Sequence, residues 1–155
     1  MTTGAFALTV AMGVAGAASA SADPEQAQFG AQHRVTSDEG AAISGYTVTD
    51  LRPSDLPTLE VPLVGTVPLD GDLWQATVTV DAVRGSVVPA MRMFNAQSAD
   101  GQSYRVLDQA LVPDLDVSPM PEGRRSTGNL YFDVIGSAPS LVTFDDGVDQ
   151  LVWTS

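Results

Sequence analysis

The residue best suited to acid–base chemistry is His33, the only histidine in the chain. A Ser-His-Asp hydrolase needs a titrating imidazole as its base, so any such reaction must run through His33. It lies in a polar stretch beside Arg34, and the G-x-S-x-G turn that presents a nucleophilic serine is absent from the sequence. The expectation is an exposed histidine without a catalytic partner. Carboxylates are plentiful, with 19 Asp and Glu against seven Arg and Lys together. A carboxylate pair could hydrolyse a glycoside. Glu39, Glu60 and Glu122 fall in expected loops, but no spacing pairs them, and they read as solvated loop acids.

Metal chemistry has one foothold. Calcium takes several oxygen ligands from a loop, often with a glycine at a sharp turn. The run DDGVDQ, Asp145 to Gln150, offers Asp145, Asp146 and Asp149 around Gly147. The spacing is not that of an EF-hand. The same residues serve as a hairpin turn between the last two strands, which is the favoured reading, with a weak cation site as the alternative. Asp114 and Asp116 could join such a site only if the fold brings them near. One histidine and no cysteine leave no ordinary zinc set, no disulfide and no thiol nucleophile. The basic doublet Arg124-Arg125 could hold a carboxylate or sulfate; a local salt bridge is the simpler assignment. No catalytic, cofactor-binding or metal residue is therefore assigned, and no cofactor is expected.

The elements that would position these groups are short and extended. In LWQATVTVDAV, Trp74, Ala76, Val78, Val80 and Ala82 alternate with Gln75, Thr77, Thr79 and Asp81, the period of a half-buried strand. Ala42–Leu51, Val88–Gln97, Tyr104–Asp108, Asn129–Ile135, Leu141–Phe144 and Gln150–Thr154 read as further strands, with a weak early one at Arg34–Ser37. Trp74, Trp153 and Phe132 are expected in the core. Met91, Met93 and Met120 are either core filling or a soft apolar patch. No stretch carries a 3.6-residue stripe, and the scattered prolines would break helices. Seven or eight short strands with turns between them give an all-β sandwich or barrel. Two long proline-bearing connections interrupt them, Ser54–Asp72 and Val112–Gly128. The stretch Arg84–Leu107 reads as fold wiring: Gly85 ends one strand, Pro89 opens the next, and Ala99-Asp100-Gly101 makes a hairpin turn. Tyr104 and Val106 then face one side of the returning strand, Arg105 and Leu107 the other.

The first 22 residues read as an export signal. Ala5–Ala18 is an uncharged apolar run, shorter than the ~18–20 residues of a spanning helix. Ser19-Ala20-Ser21-Ala22 supplies an A-x-A cleavage site, with Asp23 as the expected first mature residue. No basic residue precedes the run, which is a departure from the usual signal. Residues 23–32 read as a flexible lead-in and residues 33–155 as a single domain, in keeping with 155 residues in all. The net charge of −12 repels nucleic acid and anionic membranes, so neither is expected as a partner.

The segments LWQATVTVDAVRGSVVPAM, FNAQSADGQSYRVL and STGNLYFDVIGSAPSLV, followed by a terminal Leu-Val-Trp, come in an order and spacing that resembles the small major secreted immunogenic antigen family of mycobacteria (the Mpt-sixty-three type). The likeness is dense from Leu73 to Trp153 and looser over SGYTVTDLRPS. It implies a signal-cleaved, extracellular, immunoglobulin-like antiparallel β-sandwich of seven to eight short strands, and antigenicity. It implies no enzyme and brings no site residues with it. The expected function is that of a non-enzymatic interaction module, monomeric or weakly associating, whose partners are host or cell-envelope proteins. A cation- or small-ligand-binding domain using the acidic loops is the alternative.

Overall fold

The computed structural model describes residues 23–37, 39–108 and 115–155. Residues 1–22, which hold the expected signal, and Asp114 lie outside these. The strands are β1 Glu25–Gln28, β2 Gln32–Thr36, β3 Ile43–Pro53, β4 Glu60–Val61, β5 Gly65–Thr66, β6 Asp72–Arg84, β7 Phe94–Ser98, β8 Ser103–Arg105, β9 Arg125–Val134, β10 Pro139–Asp145 and β11 Gln150–Thr154. They build a five-stranded sheet, order β1-β11-β10-β7-β8, packed on a four-stranded sheet, order β2-β3-β6-β9, with β4 and β5 as a separate ribbon. The all-β sandwich expected from the sequence is the fold, with more strands than the seven or eight anticipated.

Alternation builds the interior. On β6, Ala76, Val78, Val80 and Ala82 are buried, and from β9 Leu130, Phe132 and Val134 join them. The facing sheet contributes Phe94, Ala96, Val142, Phe144, Leu151 and Trp153 to the same core. Phe94 lies edge-on to Phe144 and to Tyr46, with ring centroids 5.2 and 5.6 Å apart. Each such aromatic side chain removes a large apolar surface from water and holds the sheets in one relative position. Trp74 is only partly buried at the margin of the core, whereas Phe132 and Trp153 are fully enclosed as expected.

Both flanks of the sandwich are closed by chain that changes sheets. At one flank β1 pairs parallel with β11, then Phe29 and Gly30 carry the chain across to β2. The Phe29 N–H donates to Thr154 O (2.9 Å) and the Gly30 N–H to Val48 O (2.7 Å), one bond in each sheet. The Trp153 indole N–H fixes the crossing by donating to Ala31 O (2.9 Å). At the other flank β8 runs on to Val106, which bridges to Phe132 of β9, and the Leu107 N–H donates to Tyr131 O (2.8 Å). Residues 23–32, read as a flexible lead-in, thus contain a sheet strand. The sequence Glu-Gln-Ala-Gln signals no strand because its backbone pairing, not its side chains, joins it to β11.

The proline-rich connection Ser54–Asp72 is a lid. Its ribbon β4–β5 buries Leu59, Val61 and Val67 against Leu73 and Tyr131, on the outer face of the four-stranded sheet. That second small core explains why Leu73, on the outward side of β6, is buried. Gly71 marks the closest approach: a Cβ there would fall 2.0 Å from Val134 O.

Candidate functional site

The residues singled out for chemistry scatter. His33 is 3% exposed, not exposed as expected. Its ring stands edge-on to Trp153 at 4.9 Å between centroids, and Nδ1 lies 3.0 Å from Glu25 Oε1, outside hydrogen-bond alignment. The alternation of QHRVT on β2 turns His33 and Val35 inward and Arg34 outward. An imidazole walled in by Trp153 cannot reach a substrate. Glu39 is exposed in a turn. Glu60 Oε1 accepts from the Thr66 hydroxyl (2.7 Å), and Glu122 Oε2 accepts from the Gly85 N–H (2.9 Å). Gly85 itself has φ 67, and a Cβ would meet Ala41 O at 2.4 Å, so the turn ending β6 requires glycine. Arg125 Nε pairs with Asp81 Oδ1 at 2.6 Å, the local salt bridge expected for the doublet.

The acidic run serves the hairpin between β10 and β11. Asp145 Oδ1 accepts from the Gly147 N–H (2.9 Å). Asp146 Oδ1 accepts from the N–H groups of Val148 and Asp149 (2.9 and 2.8 Å). Burial, and then the negative charges of Asp146 and Glu25, push the Asp149 carboxyl above its ordinary range. Among the described residues, no three His, Cys, Asp or Glu side chains are grouped so as to hold a metal ion. Asp116 is occupied by its own turn, accepting from the Ser118 N–H (2.8 Å), which holds its carboxyl below the usual range.

A different set of residues is brought together by the register of the five-stranded sheet. With Phe94, Ala96 and Tyr104 turned inward, Asn95, Gln97, Ser103 and Arg105 point away from the core. Across the strands Arg105 lies beside Asn95, Asn95 beside Thr143, Thr143 beside Val152 and Val152 beside Gln26. A second row runs Ser103, Gln97, Leu141, Thr154, Gln28. At the β8 end these rows open into a hollow of ≈ 710 Å³, lined by Arg92, Asn95, Ser103, Arg105, Asp108 and Asp145, with Met93 at its edge. Arg92 Nε stands 3.1 Å from Asp108 Oδ2 on the rim. Among the described residues, the side chains of Asn95, Gln97, Ser103 and Arg105 form no hydrogen bond or ion pair with one another or with any neighbour. Of the three methionines, Met120 is buried, Met91 packs on the core and Met93 is 39% exposed.

The edge strand that carries Arg105 is held firmly. The Ser98 hydroxyl and the Ser137 hydroxyl both donate to Asp100 in the β7–β8 turn, the latter at 2.7 Å. These bonds, Ser98 first, hold the Asp100 carboxyl below its usual range. The Tyr104 hydroxyl reaches Ser137 O at 2.7 Å, tying β8 to the loop after β9. The polar face is thus displayed on a rigid support, with donors and acceptors fixed by the sheet. It presents hydrogen-bond donors, acceptors and one guanidinium to solvent.

The family described as a domain of unknown function (DUF1942) matches residues 24–153. The immunogenic protein MPT63 of Mycobacterium tuberculosis (strain ATCC 25618 / H37Rv) is 42% identical over 132 residues, covering 84% of this chain and 79% of that protein. The immunogenic protein MPB63 of Mycobacterium bovis shares the same identity and coverage. The crystal structure of MPT63, a secreted protein from Mycobacterium tuberculosis, matches with a TM-score of 0.74 at 40% identity, over 87% of this chain and 100% of that one. An uncharacterized β-sandwich protein from Clostridium difficile matches at 13% identity with a TM-score of 0.50, over 85% of this chain and 94% of that one, a likeness of fold alone.

Proposed function

This chain belongs to the DUF1942 family, and on that premise we propose that it is an exported, non-enzymatic binding protein. It acts outside the cell through the outer face of its five-stranded sheet. The observation that carries this reading is the set of outward polar side chains, Asn95, Gln97, Ser103 and Arg105, left without side-chain partners among the described residues on a hydrogen-bonded sheet. Polar groups so placed are available to a partner at little ordering cost. Export is supported by the apolar run Ala5–Ala18 with its A-x-A site, and by relatives that are immunogenic and secreted. Cleavage after Ala22 leaves a mature chain starting at Asp23. The partner is a protein of the cell envelope or of a host. The net charge of −12 disfavours nucleic acid.

The test uses the form released into the medium, whose intact mass is expected to place its first residue at Asp23. Labelled, it is expected to bind envelope material or host cells saturably. The double variant Gln97→Arg with Thr143→Arg should abolish that binding. Thr79→Arg, on the outer face of the other sheet, should leave it unchanged. Absence of saturable binding, or equal sensitivity to both variants, overturns the reading.

A further inference from the structure

We infer that the hollow at the β8 end of this face is a binding site for a carboxylate-bearing ligand, anchored by Arg105. The inference rests on the binding reading above and gives it a ligand chemistry.

The argument starts from charge. Seven cations face 19 carboxylates in this chain, so acids outnumber the arginines that could pair with them. Arg52 pairs with Asp50 and Asp55, Arg92 with Asp108 and Arg125 with Asp81. Arg105 is exposed and has no such partner among the described residues, although Asp108 and Asp145 line the same hollow. Arg34, Arg84 and Arg124 also lack one, Arg84 donating instead to Gly40 O, but none of the three lines the hollow.

The surroundings of Arg105 supply the rest of the recognition. Asn95 is its direct cross-strand neighbour, so their Cβ atoms are about 5 Å apart. Ser103 is two residues away on the same face, about 7 Å along the strand. A carboxylate gripped at both oxygens by the guanidinium fork can therefore take a further hydrogen bond from the Asn95 amide or the Ser103 hydroxyl. Asp145 lies two strands over, about 10 Å across the sheet, and offers an acceptor to a donor elsewhere on the ligand. Arg92 already pairs with Asp108, and the remaining acid, Asp145, opposes a second negative charge, which favours a single carboxylate over a phosphate. The chemistry is that of a peptide C-terminus or of an acidic sugar.

The experiment is an NMR titration of the secreted form, following the Arg105 Nε–H and the Asn95 side-chain amide. The probes are an N-acetylated Ser-Gly-Ala tripeptide with a free C-terminus, the same tripeptide as its C-terminal amide, and glucuronate. Saturable shifts are expected with the free acid or with glucuronate, and which one responds identifies the source. The amide should give none. Arg105→Gln should weaken binding roughly tenfold or more, as expected for a lost charge-assisted pair. Arg125→Gln should leave it unchanged. Lack of a saturable response to either acid, or a response that survives Arg105→Gln, overturns the proposal. The two readings separate cleanly. If Arg105→Gln binds envelope material or host cells as the parent does while the Gln97→Arg, Thr143→Arg variant does not, the face stands and the anchor falls. If none of these variants matters, both fall.

Discussion

The two outer faces of this sandwich are built by the same alternation and end differently. On the four-stranded sheet, outward residues are consumed by neighbours. Leu73 and Tyr131 lie under Leu59, Val61 and Val67 of the β4–β5 lid. Below them Thr77 donates to Asn129 Oδ1 (3.0 Å), Thr79 meets Thr127 (2.9 Å), and Asp81 pairs with Arg125. On the five-stranded sheet, no lid descends among the described residues, and among these Asn95, Gln97, Ser103 and Arg105 have no side-chain partner. The first face contributes to stability. On the second, these four polar side chains serve no visible structural bond, and that freedom is what points to recognition.

The contrast can be broken in three places. The largest effect is expected under the lid: Leu73→Ala should cost about 2–4 kcal/mol, seen as a lower urea midpoint, because the removed side chain leaves a cavity that the ribbon cannot fill. A loss near zero would mean that the lid is not packed on the sheet. A smaller effect belongs to the polar ladder. Asp81 accepts from Arg125 and from the Gln32 amide (2.9 Å), so Asp81→Ala should cost about 0.5–1 kcal/mol, screened by the exposure of Arg125. Smallest of all, Gln97→Ala on the opposite face should shift stability by no more than about 0.5 kcal/mol in the same denaturation series. A cost as large as that of Asp81→Ala would erase the distinction between the faces and with it the case for a binding surface.

Much of the fold was legible in the chain. β6 and β9 alternate in apolar character, β10 and β11 are short apolar runs, and the turns at Gly85, Asp100-Gly101 and Asp146-Gly147 separate strands as their residue types demand. What could not be read depends on distant chain. β1 has no apolar rhythm, and it is a strand only because β11 offers an edge. His33 looked exposed because two inward residues on β2 are too few to set a period. The candidate site shows the same limit. That Arg105 faces away from Tyr104 follows from alternation alone, but alternation cannot tell which outer face a lid will cover. The lid residues Leu59, Val61 and Val67 sit between β3 and β6 in sequence, and only the packing of the sandwich assigns them to one side.

The edge formed by β1 has a consequence for the order of assembly. Glu25 lies opposite Leu151 and Gln28 opposite Thr154, so this ladder joins the two ends of the described chain. Closing so long a loop is slow, and its entropy is lost before the pairing repays it. β1 is therefore expected to dock late, after β10 and β11 have formed their own hairpin, and to open before the central strands. Amide hydrogens of Ala27 and Gln28 should exchange well before those of Val78 and Val80 in the centre of the opposite sheet. Each such opening would uncover the strand that carries Trp153, which makes the β1–β11 seam the expected place for this sandwich to breathe.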